Sequence, residues 1–325
     1  MAIHFLAILR NIEVPPGPPV EVVPGQYLHN DVGAILATFP SEFAPLVGVV
    51  DSNAYASAAA CVAARWSDAD LLDAVRAETL LNSLLAAIQS YLMALWFVRD
   101  NCVMCEGGVL VYPKVAGRRI GWHGIKHSLG QYYWNATVQH AATSWRASEL
   151  LSAREFAERS RLVFASGSSP VSAHPSLPKG VNRLLRGLYY LENARTCSDV
   201  GVRIGAYVSC LEALFSTDSS ELAHKLSERV AMFLSEDATE RVTLYQDVKR
   251  AYNIRSKVVH GDEIDAKQYA QLFDVSIRCD DLLRRVFGRV ISDEAAQKLF
   301  LSSKNEIDTF FLSLTLGGRD LGRAV

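Results

Sequence analysis

Apolar residues recur along the chain with two different spacings, and the spacing changes near its middle. Short apolar runs, rich in β-branched or aromatic residues and bounded by Gly or Pro, predict strands at residues 3–9, 45–50 and 109–112. Residues 118–122 follow the last run closely enough to pair with it as a hairpin. Helical patterns cover residues 68–98 and 147–163. We therefore expect an α+β domain in the first half of the chain.

The second half is patterned almost entirely for helix. Apolar residues repeat at three- and four-residue steps after Asp199, a predicted helix cap, and again after Asp237, which has Glu240 at the capping-box position. The predicted stripes are Ile204, Val208, Leu211 and Phe215; Leu222, Leu226, Val230 and Phe233; Leu244, Val248, Ala251, Ile254 and Val258; and Tyr269, Phe273, Ser276, Leu283 and Val286. Each helix must bury its stripe against a neighbour, so a bundle is expected.

A boundary between the two halves is predicted at residues 165–180, ASGSSPVSAHPSLPKG. Five serines, three prolines and two glycines neither continue a helix nor build a core, so this stretch is typical of a linker. The expected organisation is an N-terminal α+β domain over residues 1–165, a linker over 166–180 and a helical bundle over 181–325. The fold class is therefore mainly α.

Composition excludes several classes of protein. Half of the 325 residues are apolar and 21% are charged, which is typical of a globular chain rather than a fibrous or disordered one. With a net charge of −2, the protein has no basic body to hold nucleic acid by bulk charge, so such a contact would need a local patch. Six cysteines are too few for a disulfide scaffold, which favours a cytoplasmic protein with reduced thiols.

One uncharged stretch tests the expectation of a protein without membrane contact. Residues 80–98 carry no charge and are long enough to span a bilayer. Asn82 and Gln89 interrupt the stretch, and we expect a buried central helix instead. The first apolar run has no basic leader before it, so we expect a strand there rather than a signal peptide.

The clearest concentration of candidate chemistry lies at residues 252–261, YNIRSKVVHG. Arg255 and His260 would lie about 140° apart on an ideal helix, so they share a site only if the helix ends there. Gly261 is the residue type that ends helices, which places His260 in the last turn, free to swing toward Arg255. A helix C-terminus stabilises the imidazolium form, which suits a general acid. Lys249, Arg250, Arg255 and Lys257 would add a local phosphate-binding patch.

The run RSKVVHG matches the Arg-x4-His signature of HEPN domains. The wider order of motifs, LEALFS at 211–216, then ELAHKLSERVAMFL, then YNIRSKVVHGD, resembles the ApeA-like branch of that family. The resemblance covers approximately residues 180–290. Arg255 and His260 match the catalytic pair of the family. Ser256 stands where many members carry Asn, Asp or His, so it is only a candidate for a supporting role.

The resemblance implies a HEPN-like helical bundle that forms a homodimer, with the Arg/His pairs of both chains facing a shared cleft. It also implies an endoribonuclease that needs no metal or other cofactor. Such enzymes serve prokaryotic antiviral defence, including abortive infection, or act as toxins, and their partners include a phage-derived trigger or regulator. The alternative is a catalytically silent module of the same fold that binds a protein partner or RNA.

The chemistry of these two side chains suits RNA cleavage without metal. The ribose 2′-hydroxyl attacks the phosphorus, so one group must accept its proton, another must protonate the leaving 5′-oxygen, and a cation must stabilise the developing charge. His260 could transfer protons near neutral pH, and Arg255 offers a planar, permanently charged fork to phosphate oxygens. Lys249 and Arg250 are candidate RNA contacts. So are Tyr252, Asn253 and Lys257, although Tyr252 equally suits the core and Lys257 the solvent.

Glu212 lies at the edge of a predicted apolar stripe, where a carboxylate needs a partner. It could orient Arg255, or it could pair with Arg229 in a purely structural ion pair. We favour the structural role, since charged networks of that kind are common in folded proteins.

Two cysteines and two histidines in the first half raise the alternative of a zinc site. Cys102, Cys105, His123 and His127 are the ligand types of a tetrahedral zinc centre. The gap between the cysteines and the histidines is longer than in zinc fingers, and a predicted strand lies inside it. We therefore favour a chain without a metal site here.

Overall fold

The computed structural model describes residues 2–66, 72–116, 119–164, 180–218 and 222–316. The chain divides into two compact units, which are Met1–Tyr133 with His140–Ala157, and Trp134–Gln139 with Glu158–Val325. The protein is mainly helical, with an antiparallel sheet in the first unit. Apart from Gly180, the predicted linker lies outside the described residues.

The first unit combines eight strands with five helices among the described residues. The strands are β1 (Ile3–Arg10), β2 (Ile12–Glu13), β3 (Val20–Val23), β4 (Gln26–His29), β5 (Ala60–Trp66), β6 (Met104–Ala116), β7 (Arg119–Ser128) and β8 (Thr143–Ser144). The helices are α1 (Val32–Leu36), α2 (Phe43–Val47), α3 (Val49–Ala56), α4 (Ala74–Val98) and α5 (Ala147–Phe164), the last of which begins in this unit.

Six strands form one antiparallel sheet in the order β3-β4-β5-β1-β6-β7, and β2 pairs with β8 in parallel. The central strand β1 is buried on both faces, which explains why its sequence is a continuous apolar run rather than an alternating one. Leu6 and Ile8 pack with Phe43 and Val47 in a core beneath the short helices. On the other face the sheet approaches α4 so closely that a Cβ at Gly108 would lie 3.0 Å from Leu85.

Residues 45–50, predicted as a strand, instead form the end of α2 and the start of α3. Phe43 and Val47 are buried at a spacing of four residues, whereas Val49 and Val50 are 72% and 82% exposed. A short apolar run does not distinguish a strand from a helix, and here the helical face is the one that reaches the core. Gly48, at φ 91°, separates the two helices.

The predicted hairpin is present with a different register. Residues 109–112 pair with Lys126 to His123 of β7, while residues 119–122 pair with the later part of β6. Both strands are longer than their apolar runs, since β6 extends to Ala116 and β7 to Ser128. Outside the apolar runs, Glu106, Gly107, Pro113 and Lys114 of β6 and His123, Lys126 and His127 of β7 interrupt the apolar pattern, so it did not reveal the full strands.

The uncharged stretch forms most of α4, which begins at Ala74 after an Asp73 cap. By length and composition this helix could cross a membrane, yet 56% of its most apolar window is buried within the protein. Residues 91–97 are buried all around the helix, and that burial accounts for the missing charges. The expectation of a central buried helix is confirmed.

The described residues of the second unit form seven further helices. They are α6 (Arg183–Thr196), α7 (Val200–Phe215), α8 (Leu222–Leu234), α9 (Ala238–His260), α10 (Ala266–Ser292), α11 (Glu294–Leu301) and α12 (Lys304–Leu316). Asp199 and Asp237 cap α7 and α9 as predicted. Phe215 lies at the centre of one aromatic cluster, with ring centroids 5.5 Å from Phe233 and 5.1 Å from Phe300.

A buried polar network fixes residues Trp134–Gln139 within the second unit. The Arg203 guanidinium is fully buried and donates to the main-chain carbonyls of Trp134 (2.7 Å) and Asn135. Ser276, which is also fully buried, donates to the carbonyl of Ala136 at 2.7 Å. Because both donors are removed from water, these bonds satisfy polar groups that would otherwise be costly to bury.

The apolar stripe predicted for α10 is partly wrong. Ser276, Leu283 and Val286 are buried, but Tyr269 and Phe273 are 70% and 51% exposed. In the first turns of α10 the buried face is formed by Leu272 and Val275 instead. The helix therefore presents aromatic residues to solvent near its start.

Candidate functional site on helix α9

The caps of α9 fix the position of the predicted catalytic residues. The Asp237 carboxylate accepts from the main-chain N–H of Glu240 at 2.7 Å. The Glu240 carboxylate does not complete a capping box, because it accepts from Ser235 Oγ (2.5 Å) and from Arg285 (2.6 Å). At the other end, Gly261 adopts the left-handed conformation, with φ 72°, and the N–H of Asp262 donates to the carbonyl of Lys257 at 2.9 Å.

His260 is the last residue of α9, as Gly261 predicts. Its side chain is exposed, and it forms no hydrogen bond or ion pair with any residue that the structure describes. An exposed imidazole at the end of a helix is accessible to a substrate. The position suits proton transfer.

Arg255 is held against α7 by an ion pair. Its Nη2 lies 3.4 Å from Oε2 of Glu212, and the two side chains are 26% and 19% exposed. The guanidinium also lies 5.7 Å from the ring centre of Tyr252, within the range of a cation–π contact. Its Nε is buried without a hydrogen-bond partner in the described structure. Arg255 is therefore an anchored cation with unused donor capacity.

The structure corrects the partner expected for Glu212 in a structural ion pair. Glu212 pairs with Arg255 and not with Arg229, which instead bonds Asp308 (2.5 Å) and the carbonyl of Phe215 (2.8 Å). Burial raises the pKa of Glu212, and the positive charge of Arg255 partly offsets this. The two effects are those expected for a carboxylate at the edge of a core beside one cation.

Arg255 and His260 are not brought into direct contact. Arg255 points toward α7, whereas His260 lies on the solvent side of α9, in agreement with the angle of about 140° between their positions. The helix continues to His260 without opening early, so the imidazole is not freed toward the guanidinium within one chain. A site that uses both side chains needs a substrate, or a second chain, to connect them.

The remaining candidate residues around Arg255 and His260 differ in whether they already contact other side chains. Lys257 bonds Gln268 (2.7 Å) and Asp265 (3.4 Å) of the α10 N-terminal region, so it is not a freely solvated lysine. Arg250 lies 3.8 Å from Asp247. Asn253 is exposed and Ser256 is half-buried.

The four residues of the alternative zinc site do not assemble. No group of three or more His, Cys, Asp or Glu residues suited to a metal ion occurs among the described residues. The Cys102 thiol donates to the carbonyl of Ala141, and burial raises the pKa of Cys105 to about 12. His123 packs beside Tyr112, while His127 faces Glu78 at 3.9 Å.

A second cluster, at the other end of α9, was not predicted from the sequence. His224 of α8 and Tyr245 of α9 share a hydrogen bond of 2.9 Å, with ring centroids 5.7 Å apart. The ammonium of Lys249 lies 5.7 Å from the Tyr245 ring centre. Only tertiary packing joins these residues, so no spacing along the chain could have indicated them.

No family model, curated protein or solved structure matches this chain. The resemblance to HEPN domains therefore rests on the sequence motifs in the second half of the chain alone.

Proposed function

We propose that the protein is a cytoplasmic, metal-independent endoribonuclease of the HEPN type, acting in prokaryotic antiphage defence or as a toxin. One observation carries the proposal. Helix α9 ends in an exposed histidine and also carries an arginine that a partly buried carboxylate, Glu212, holds in place. This combination supplies an accessible proton-transfer group and a positioned cation on one element.

Each residue has a distinct part in the proposed reaction. Arg255 would bind the scissile phosphate and stabilise the charge that develops on its oxygens. His260 would protonate the leaving 5′-oxygen, and the corresponding base would accept the proton of the 2′-hydroxyl. The products would be a 2′,3′-cyclic phosphate and a 5′-hydroxyl. Glu212 is assigned a positioning role, because it contacts Arg255 rather than the substrate.

A homodimer would supply the second proton-transfer group. One chain brings one His260, whereas the reaction needs an acid and a base. In a two-fold dimer, the same residue of both chains could serve both needs. The separation of Arg255 and His260 within one chain favours such an arrangement.

A binding module without catalytic activity is the second candidate. The observation that favours it is the exposed stripe of Tyr269, Phe273 and Ile277 on α10, since large apolar side chains in solvent are typical of interaction surfaces. This module would bind a protein partner and would not need Arg255 and His260 to meet.

Incubation of the purified protein with total cellular RNA in EDTA distinguishes the two candidates. The ribonuclease proposal expects cleavage to 5′-hydroxyl fragments, together with growth arrest on expression that the His260→Ala variant does not cause. Intact RNA at high protein concentration, with and without added divalent metal, would favour the binding module. Cleavage that requires the metal would replace the acid–base scheme by metal-activated hydrolysis.

A further inference from the structure

The solvent face of α9 carries a continuous stripe of polar and aromatic side chains. Five residues fall within a sector of about 80° when the helix advances 100° per residue. They are Tyr245, Lys249, Asn253, Ser256 and His260. The buried residues of α9, which are Leu244, Val248, Ala251 and Ile254, lie on the opposite side.

Helix α9 is rich in cations between Tyr245 and His260. Between residues 245 and 260 the chain has four Lys or Arg residues and a single acidic residue, Asp247. Asp247 is already engaged by Arg278 (3.3 Å) and Arg250 (3.8 Å), so it leaves the stripe free of uncompensated negative charge. Arg250, Arg255 and Lys257 are paired with Asp247, Glu212 and Asp265. Lys249 has no acidic partner among the described residues, so it is the cation of the stripe that is available to a phosphate.

At the far end of the stripe, two aromatic rings are fixed in position. The hydrogen bond between His224 Nδ1 and the Tyr245 hydroxyl (2.9 Å) joins α8 to α9 on the exposed side of the bundle. Lys249 lies against the Tyr245 ring, one helical turn closer to His260. Aromatic rings beside a cation are the elements from which proteins build sequence-tolerant sites for single-stranded nucleic acid.

We infer that His224 and Tyr245 form a base-stacking subsite for single-stranded RNA, with Lys249 as its phosphate contact and the solvent face of α9 leading the strand to His260. The inference rests on the proposed function in one respect, which is that the strand is RNA cleaved at His260. The subsite itself is defined by binding, so it can be tested without cleavage.

The length of the stripe sets the length of RNA that can use the subsite. Tyr245 and His260 are 15 residues apart, which corresponds to about 22 Å along the helix. At the spacing of about 3.4 Å per nucleotide in a stacked strand, this distance spans about six nucleotides. A shorter strand that stays stacked does not reach both ends.

The test measures binding of a fluorescein-labelled, 2′-O-methylated 12-nucleotide single strand, which lacks the attacking hydroxyl and stays intact. Fluorescence anisotropy gives Kd for the full-length protein and its variants. We expect Tyr245→Ala and His224→Ala each to raise Kd about 5- to 50-fold, as for the loss of one stacked base. Tyr245→Phe keeps the ring but removes the hydroxyl that bonds His224, so it should raise Kd less than Tyr245→Ala does. Tyr27→Ala removes an exposed tyrosine of the first unit and should leave Kd unchanged.

The outcomes separate the subsite from the proposed function. An unchanged Kd in both His224→Ala and Tyr245→Ala, or no binding by the unaltered protein, would overturn the subsite even if RNA is cleaved. If Kd depends on Tyr245 but unmodified RNA is not cleaved, the subsite is supported and the ribonuclease proposal is overturned. Because His224 is exposed, His224→Ala keeps the test valid if Tyr245→Ala does not fold.

Discussion

Glu212 and Arg255 form an ion pair of 3.4 Å that joins helices α7 and α9. Both side chains are more than two-thirds buried, so the guanidinium is confined beside the carboxylate and does not move freely in solvent. The arginine stem packs beside Gly205 of α7, where a Cβ would lie 3.9 Å from Arg255 Cγ, an ordinary van der Waals distance. The proposed phosphate-binding cation is thus positioned by the bundle core.

The Glu212→Gln variant should therefore lose both stability and activity. Removal of the charge leaves a partly buried guanidinium with a weaker partner, which we expect to cost about 1–3 kcal/mol in free energy of unfolding. Cleavage should fall by about tenfold or more, because Arg255 is no longer held. Urea denaturation and initial cleavage rates measure the two effects.

The matched control is Asp308→Asn, which breaks the ion pair of Arg229 in the same unit. It should lower stability similarly and leave the cleavage rate unchanged. Equal losses of activity in Glu212→Gln and Asp308→Asn would show that Glu212 acts only through general stability.

His260→Ala should abolish cleavage and leave the fold intact. The side chain is exposed and has no hydrogen-bond partner in the described structure, so its truncation opens no cavity. Loss of a proton-transfer group typically lowers the rate about 10²- to 10⁴-fold. Cleavage assays and circular dichroism check both parts. Val259→Ala, at the exposed neighbouring position, is the control and should retain activity. Full cleavage by His260→Ala would remove the histidine from the mechanism.

The helices of the second half could be predicted because their signals are local. Asp199 and Asp237 cap helices within a few residues of the apolar stripes that they precede, and Gly261 ends α9 through its own backbone conformation. The same approach gave a wrong prediction for residues 45–50. Their apolar run is compatible with a strand or a helix, and only the packing of Phe43 and Val47 decides between the two.

The contacts of the candidate site could be predicted only in part. The residues on α9 follow from the motif, but the partner of Glu212 depends on how α7 packs against α9. The His224–Tyr245 pair joins two helices, and residues Trp134–Gln139 join the second unit through Arg203. Such contacts depend on tertiary geometry, which neither periodicity nor composition encodes.

Gly261→Ala should weaken the end of α9. The residue has φ 72°, a conformation in which an L side chain costs about 1–2 kcal/mol. We expect that loss of stability, with a fall in cleavage as His260 changes position. Gly288→Ala is the control, because Gly288 lies inside α10 with open space where a Cβ would stand, and it should gain up to about 1 kcal/mol. Chemical denaturation of both variants is the measurement, and equal effects would contradict the assignment of Gly261 as a helix stop.

Glu192→Gln should make the free energy of unfolding less sensitive to rising pH. Burial raises the pKa of Glu192 to about 7, with a partial opposing effect from Arg195. Because the folded state binds this proton more tightly than the unfolded chain, the stabilising contribution is complete below about pH 4.5 and is lost as pH rises through 7. The glutamine cannot ionise, so its advantage over the natural residue should grow between about pH 5 and pH 8, on the order of 1–3 kcal/mol.

Urea denaturation midpoints at these two pH values provide the measurement. Glu236→Gln changes an exposed carboxylate of the same unit and serves as the control, with no comparable growth expected. If the difference between Glu192→Gln and the unaltered protein stayed constant with pH, the carboxyl of Glu192 would not titrate as its burial implies.

The proposed shared active site predicts that cleavage depends on protein concentration. Arg255 faces α7 while His260 faces solvent, so one chain does not bring its own pair into contact, and it offers only one imidazole for two proton transfers. A two-fold dimer places two copies of each residue around one cleft and supplies both an acid and a base. Specific activity should then fall on dilution in step with the dimer fraction. Sedimentation velocity and cleavage rates measured on the same dilution series test this relation. Undiminished specific activity from a species that sediments as a monomer would exclude the shared site, and Arg255 and His260 would then have to act through a substrate that bridges them.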